Sequence, residues 1–159
     1  MTSTKIGIGI IGAGKAGRNL ALALRALPDV SLRWICAAHA ESAEAAAREL
    51  DVPRWGEDYR ELVQDPQVRA VIVASPDELH CEHTLAAAGA GKHVLCEKPM
   101  CRSLEEAERM IRAARDSAVV LMVGFTERYA HPFREAKRRI DAGEIGRPKM
   151  ILARRCHPR

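Results

Sequence analysis

With 159 residues the chain has room for one domain with a sizeable core and little room for a second. Its apolar fraction of 47% and charged fraction of 29% suit a water-soluble globular protein, and no run approaches the roughly 18 apolar residues of a membrane span. The net charge of +4 is concentrated in residues 134–159, which hold nine Lys/Arg against three Asp/Glu. Only Phe133 stands near that stretch as an aromatic platform, so a solvated or cofactor-facing surface is expected there and nucleic-acid binding is not.

Residues 1–5 pass straight into a strand pattern with neither an apolar h-region nor a cleavage site, and a cytoplasmic location is expected. Cys36, Cys81, Cys96, Cys101 and Cys156 have no CxxC spacing and are read as buried or free thiols. The run from His80 to His83 lacks third and fourth ligands at metal-site spacing, so no metal is expected.

In chain order, residues 5–11 form a short apolar run suited to a buried parallel strand. A helix is expected over 15–27, with Leu20, Leu24 and Leu27 on one face and Pro28 as its stop. Strand 30–37, helix 41–50, strand 52–56 and a brief helix 59–63 follow. The alternation resumes with strand 68–74 and a helix to residue 88, opened by Ser75 as N-cap, Pro76 at the first position and Glu78 closing a capping box. Strand 93–96, a second capping box at Ser103–Glu106 opening a helix to 115, and strand 119–123 complete the pattern. Six strands alternating with helices imply a doubly wound α/β Rossmann sheet of order 3-2-1-4-5-6, occupying residues 1–145.

Gly12-Ala13-Gly14-Lys15-Ala16-Gly17 is a GxGxxG placed after the first strand and at the start of the first helix. Gly12 permits the tight turn, Gly14 lets backbone approach a pyrophosphate, and Gly17 lets helix pack on strand. The free N–H groups and positive end of that helix then bind the phosphates of a nicotinamide dinucleotide. About 20 residues on, where an acid would accept the ribose hydroxyls, stands Ala37, with His39 close by. Without a carboxylate a 2′-phosphate is not repelled, yet no Arg follows to pair with it. The choice between NADP and NAD stays open, leaning to NADP.

Glu97-Lys98-Pro99 directly follows the strand ending at Cys96, at the carboxyl edge of the sheet where such folds bind ligands. Lys98 there is either a tuned acid or base or part of a surface turn, and spacing alone does not separate the two.

These segments together, with residues 74–80, 91–100 and 122–128, resemble the Gfo/Idh/MocA family of glucose–fructose oxidoreductases and inositol dehydrogenases over essentially the whole chain. The resemblance implies an oxidoreductase that exchanges hydride between a nicotinamide cofactor and a sugar or polyol. It gives Lys98 the role of proton-transfer group, sets Pro99 in a shaping turn through a cis bond, and lines the cofactor cleft with Ser75, Pro76, His80 and Glu97. It also implies a second, substrate-binding domain, for which residues 146–159 read as the opening strand, the rest being absent from this chain. His157 is too isolated to replace an acid from that domain. The alternative reading is a non-catalytic NAD(P)-binding module; a homo-oligomer is compatible with either.

Overall fold

A parallel strand covered on both faces must be apolar throughout, and Ile6–Ile11 (β1) is buried over all but its first residue. The computed structural model describes residues 5–154, so Cys156 and His157 lie outside the described residues. The chain divides into two compact units, ending and starting at Gly124 and Phe125.

In the first unit β1 leads to α1 (Lys15–Leu24), then β2 (Val30–Cys36), α2 (Ala40–Glu49), β3 (Arg54–Gly56) and α3 (Tyr59–Gln64). The second half runs β4 (Ala70–Val73), α4 (His80–Gly89), β5 (His93–Cys96), α5 (Leu104–Asp116) and β6 (Leu121–Val123). The strands form one six-stranded sheet of order β3-β2-β1-β4-β5-β6, every pairing parallel, as the sequence pattern predicts.

Strand residues alternate between two cores because successive side chains point to opposite faces. Ile8, Ile10, Ile35 and Ile72 pack with Ala21 of α1 and Ala46 and Ala47 of α2. Ile11, Trp34, Val71, Val73 and Val94 pack on the other face with Leu62 of α3, Ala87 of α4 and Met110 of α5. Small alanines on α1, α2 and α4 let the helices lie close to the sheet. Shortening a fully buried anchor such as Ile10 or Met110 to Ala would cost about 2–5 kcal/mol.

One polar group crosses the second core. Asp65, 5% exposed, accepts from Trp34 Nε1 at 3.0 Å, Gln67 N at 2.8 Å and Arg54 at 2.6 Å. These bonds tie the end of α3 to β2 and β3 and satisfy the indole N–H that burial would otherwise leave unpaired.

Three expected boundaries move. Helix α1 stops at Leu24 and leaves Leu27 half exposed, since Pro28 already constrains the residue before it. In β3, pairing with β2 begins only at Arg54, although Val52 is buried ahead of it. The capping box expected at Ser75 is not formed: a 3-10 turn over Asp77–Leu79 precedes α4, and the Ser75 hydroxyl is 2.9 Å from His83 Nδ1 instead. His83 is buried, and its Nδ1 takes the Ser75 hydroxyl as a partner in place of a helix N–H. At Ser103 the cap does form, its hydroxyl accepting from Glu106 N at 3.2 Å, while Glu106 Oε2 reaches one residue further back and accepts from Arg102 N at 2.9 Å.

The second unit holds a 3-10 turn over Thr126–Tyr129 and one helix, α6 (His131–Asp141), with Pro132 in its first turn. Glu135 bonds Arg138 and Arg139 on the exposed face, which holds its carboxyl down to about 2. Residues 147–154 form neither helix nor strand.

Candidate functional site

In an open α/β sheet, the place where strand order reverses leaves a crevice at the carboxyl ends of the two central strands. Here β1 is flanked by β2 on one side and β4 on the other, and a cleft of about 560 Å³ opens at the ends of these three strands. Gly12 to Ala16 line it from β1, Cys36 to His39 from β2, and Ala74 to Pro76 from β4. Of the sequence-derived site residues it gathers Gly12, Ala13, Gly14, Lys15, Ala16, Ala37, His39, Ser75 and Pro76.

The glycine loop has the geometry the motif requires. Gly12 has φ +118°, and a Cβ there would meet the Ala74 carbonyl oxygen at 2.3 Å. A Cβ on Gly17 would stand 1.9 Å from the Gly12 carbonyl oxygen, so this glycine serves helix-to-strand contact from beneath the cleft. Gly14 differs: a Cβ there would meet nothing within 4 Å. It is the N-cap of α1, with no side chain capping the helix and no acid in its first turn. The α1 terminus therefore offers N–H groups and partial positive charge to the cleft, which fits a pyrophosphate. Arg18 Nε donates to the Ala13 carbonyl at 2.9 Å and holds the loop from behind.

Opposite the loop, His83 lines the cleft from α4, with its ring 4.4 Å from the Tyr59 ring. Burial pushes the His83 pKa down, against the nearby Glu82 carboxylate, which favours the neutral ring. Tyr59 donates to Glu82 at 2.6 Å, and burial followed by that bond raises its own pKa. Glu57, Tyr59, Leu79 and His83 line the cleft without having been singled out by the sequence motifs.

His80, Glu97 and Lys98 do not line the cleft. His80 is 1% exposed and lies between two carbonyl oxygens: Nδ1 is 2.7 Å from Pro99 O and Nε2 is 2.9 Å from Ser75 O. Glu97 N donates to Val73 O at 2.8 Å, extending the β4–β5 ladder, and Gly124 N donates to Cys96 O at 2.7 Å. Lys98 N donates to Glu97 Oε2 at 3.0 Å, its side chain is exposed, and the Lys98–Pro99 bond is cis. The Glu97-Lys98-Pro99 turn is thus fixed at the carboxyl end of β5, one strand beyond the cleft wall made by Ser75 and Pro76.

Fold, strand order and an uncapped glycine-loop helix facing a switch-point cleft define a dinucleotide-binding α/β domain. Residues 6–125 match the sequence model of the Gfo/Idh/MocA family, described as an oxidoreductase family with an NAD-binding Rossmann fold, and the chain belongs to that family. It is 42% identical over 106 residues to scyllo-inositol 2-dehydrogenase (NAD(+)) of Bacillus subtilis, covering 67% of this chain and 31% of that protein. It is 35% identical to myo-inositol 2-dehydrogenase of Thermotoga maritima, over 91% of this chain and 43% of that one. Among solved structures, levoglucosan dehydrogenase in complex with NADH and levoglucosan superposes with a TM-score of 0.86 at 36% identity, covering 91% of this chain and 41% of the other. Scyllo-inositol dehydrogenase of Lactobacillus casei with bound NAD(H) and scyllo-inositol gives 0.84 at 30% identity, over 90% and 43% of the two chains. The chain spans about a third to just under half the length of the curated relatives it matches. No described helix is long and apolar enough to cross a membrane.

Proposed function

We propose that the chain is the cofactor-holding part of an NAD-dependent dehydrogenase acting on a hydroxyl-bearing carbon of a sugar or polyol. The observation that carries this is the cleft at the β1/β4 switch point, walled by a glycine loop whose helix terminus has no side-chain cap. The relatives that bind NADH or NAD(H) together with levoglucosan or scyllo-inositol support the substrate class.

Nicotinamide, when bound, supplies the hydride acceptor. The chain's own residues hold it: the N–H groups at the start of α1 bind the pyrophosphate, and His83, Ser75 and Pro76 wall the side toward β5. Lys98, anchored at the carboxyl end of β5 by the bonds to Val73, Gly124 and His80, moves the proton of the substrate hydroxyl. Gly12 to Gly17, Ala37, His39 and the Glu97 turn complete the cofactor side. Residues 1–145 form the dinucleotide-binding part, and residues 146–159 open a substrate-binding domain. The enzyme works in the cytoplasm and associates with copies of itself.

The test is a dehydrogenase screen of inositols, pyranoses and anhydrosugars with NAD, on the protein in its genomic length and on residues 1–159. Turnover of at least one polyol, lost in Lys98→Ala with NAD binding retained, is expected for the former. NAD binding without turnover of any of them would point instead to a non-catalytic NAD-binding module.

A further inference from the structure

The acid that normally accepts the adenosine ribose hydroxyls at the end of the second strand is absent, since Ala37 occupies that place. The sheet supplies a carboxylate from the next strand. Cys36 of β2 is in register with Gly56 of β3, and Ala37 N donates to Gly56 O at 3.1 Å, so Glu57 stands beside Ala37 across the parallel pair. Parallel neighbours lie about 4.8 Å apart, within reach of one Glu side chain.

Glu57 is held at both ends. Its carbonyl accepts from the Cys36 thiol at 3.2 Å, and its Oε1 accepts from Ala40 N at 2.9 Å, in the first turn of α2. Oε2 has no protein partner among the described residues. Glu57 is also the one Asp or Glu in the described lining of the cleft, where the fixed cation, Lys15, belongs to the glycine loop on the far wall. No Arg lines the cleft: Arg54 is bound to Asp65, and Arg60 to Asp58 and Glu82. The Cys36 thiol reports the same field, since burial and then the Asp58 and Glu57 carboxylates push it up to about 12.

We propose that Glu57 is the specificity residue for the adenosine ribose, selecting NAD over NADP in place of the missing acid at Ala37. Its free oxygen accepts from a ribose hydroxyl, a charge-assisted bond that a 2′-phosphate cannot donate. A phosphate there would bring about two negative charges against the carboxylate with no guanidinium to offset them. The leaning to NADP that Ala37 alone suggests is thereby reversed. The inference rests on the dinucleotide occupying this cleft.

The experiment measures NAD and NADP affinities calorimetrically, at fixed ionic strength, on the full chain and three variants. Glu57→Gln keeps an acceptor for Ala40 N but removes the charge, and the NAD-to-NADP affinity ratio should fall at least about tenfold, roughly 1.4 kcal/mol. Ala37→Asp alone should change the ratio little. Adding Ala37→Asp to Glu57→Gln should restore NAD preference, a rescue that a merely structural cap would not give. A Glu57→Gln ratio within about twofold of wild type, or equal weakening of both cofactors, would overturn the assignment of Glu57. Failure of the unaltered chain to bind either dinucleotide would overturn the cofactor reading as well.

Discussion

His80 joins two loops at the carboxyl edge of the sheet: its Nδ1 lies 2.7 Å from the Pro99 carbonyl oxygen, inside a core position only 1% exposed. Because its other nitrogen faces the Ser75 carbonyl at 2.9 Å, one ring spans the ends of β4 and β5. The cleft wall at Ser75 and the Lys98-bearing turn therefore share a strut.

Removing that strut should destabilise the domain and loosen the turn. His80→Ala leaves a cavity and removes the buried ring N–H that lies between the Pro99 and Ser75 carbonyls, a cost of about 2–4 kcal/mol. His80→Gln, able to donate to one carbonyl, should lose roughly half as much. Urea unfolding midpoints measure this, and an alanine variant as stable as the parent would rule out the strut.

The buried thiols make stability fall at high pH. Cys36 is pushed from 9.0 up to about 12 and Cys96 up to about 11, in both cases first by burial. Above pH 9 the unfolded chain releases these protons while the folded chain keeps them. Their contribution is complete below pH 9 and is lost as pH rises through about 11 to 12. The unfolding temperature should decline over that window, and less steeply in Cys36→Ala and Cys96→Ala. Superimposable slopes for parent and variants would contradict this.

Much of the architecture is legible in the residue pattern. Apolar runs such as Val71-Ile72-Val73 can only be strands covered on both faces, and the glycine loop between β1 and α1 sets the direction of the first crossover. The order 3-2-1-4-5-6 is one that right-handed connections allow, and it is the order observed. The glycine loop was legible where it depends on backbone: Gly12 has a positive φ and Gly17 lies against the Gly12 carbonyl, as the tight turn and the helix-to-strand contact require.

What depends on cross-strand register or on competition between partners was not legible. Glu57 enters the cleft because Cys36 pairs with Gly56, and no local pattern encodes that pairing. Ser75 looks like a cap in the sequence, but the imidazole of His83, eight residues on and buried against Tyr59, takes its hydroxyl. His80 was expected to line the cleft and instead lies behind it, its ring held between the Pro99 and Ser75 carbonyl oxygens.

The central claim is that a nicotinamide dinucleotide sits with its pyrophosphate against the α1 terminus, over Gly14. A Cβ at position 14 meets no protein atom within 4 Å, so Gly14→Val should fold as the parent does while blocking backbone approach to the phosphates. Titration of NAD into both proteins by calorimetry, with unfolding midpoints measured alongside, is the direct test. The account predicts binding to the parent, a loss of affinity of more than about tenfold in Gly14→Val, and midpoints that agree closely. Equal NAD affinity in the two proteins would mean that the dinucleotide does not use this loop.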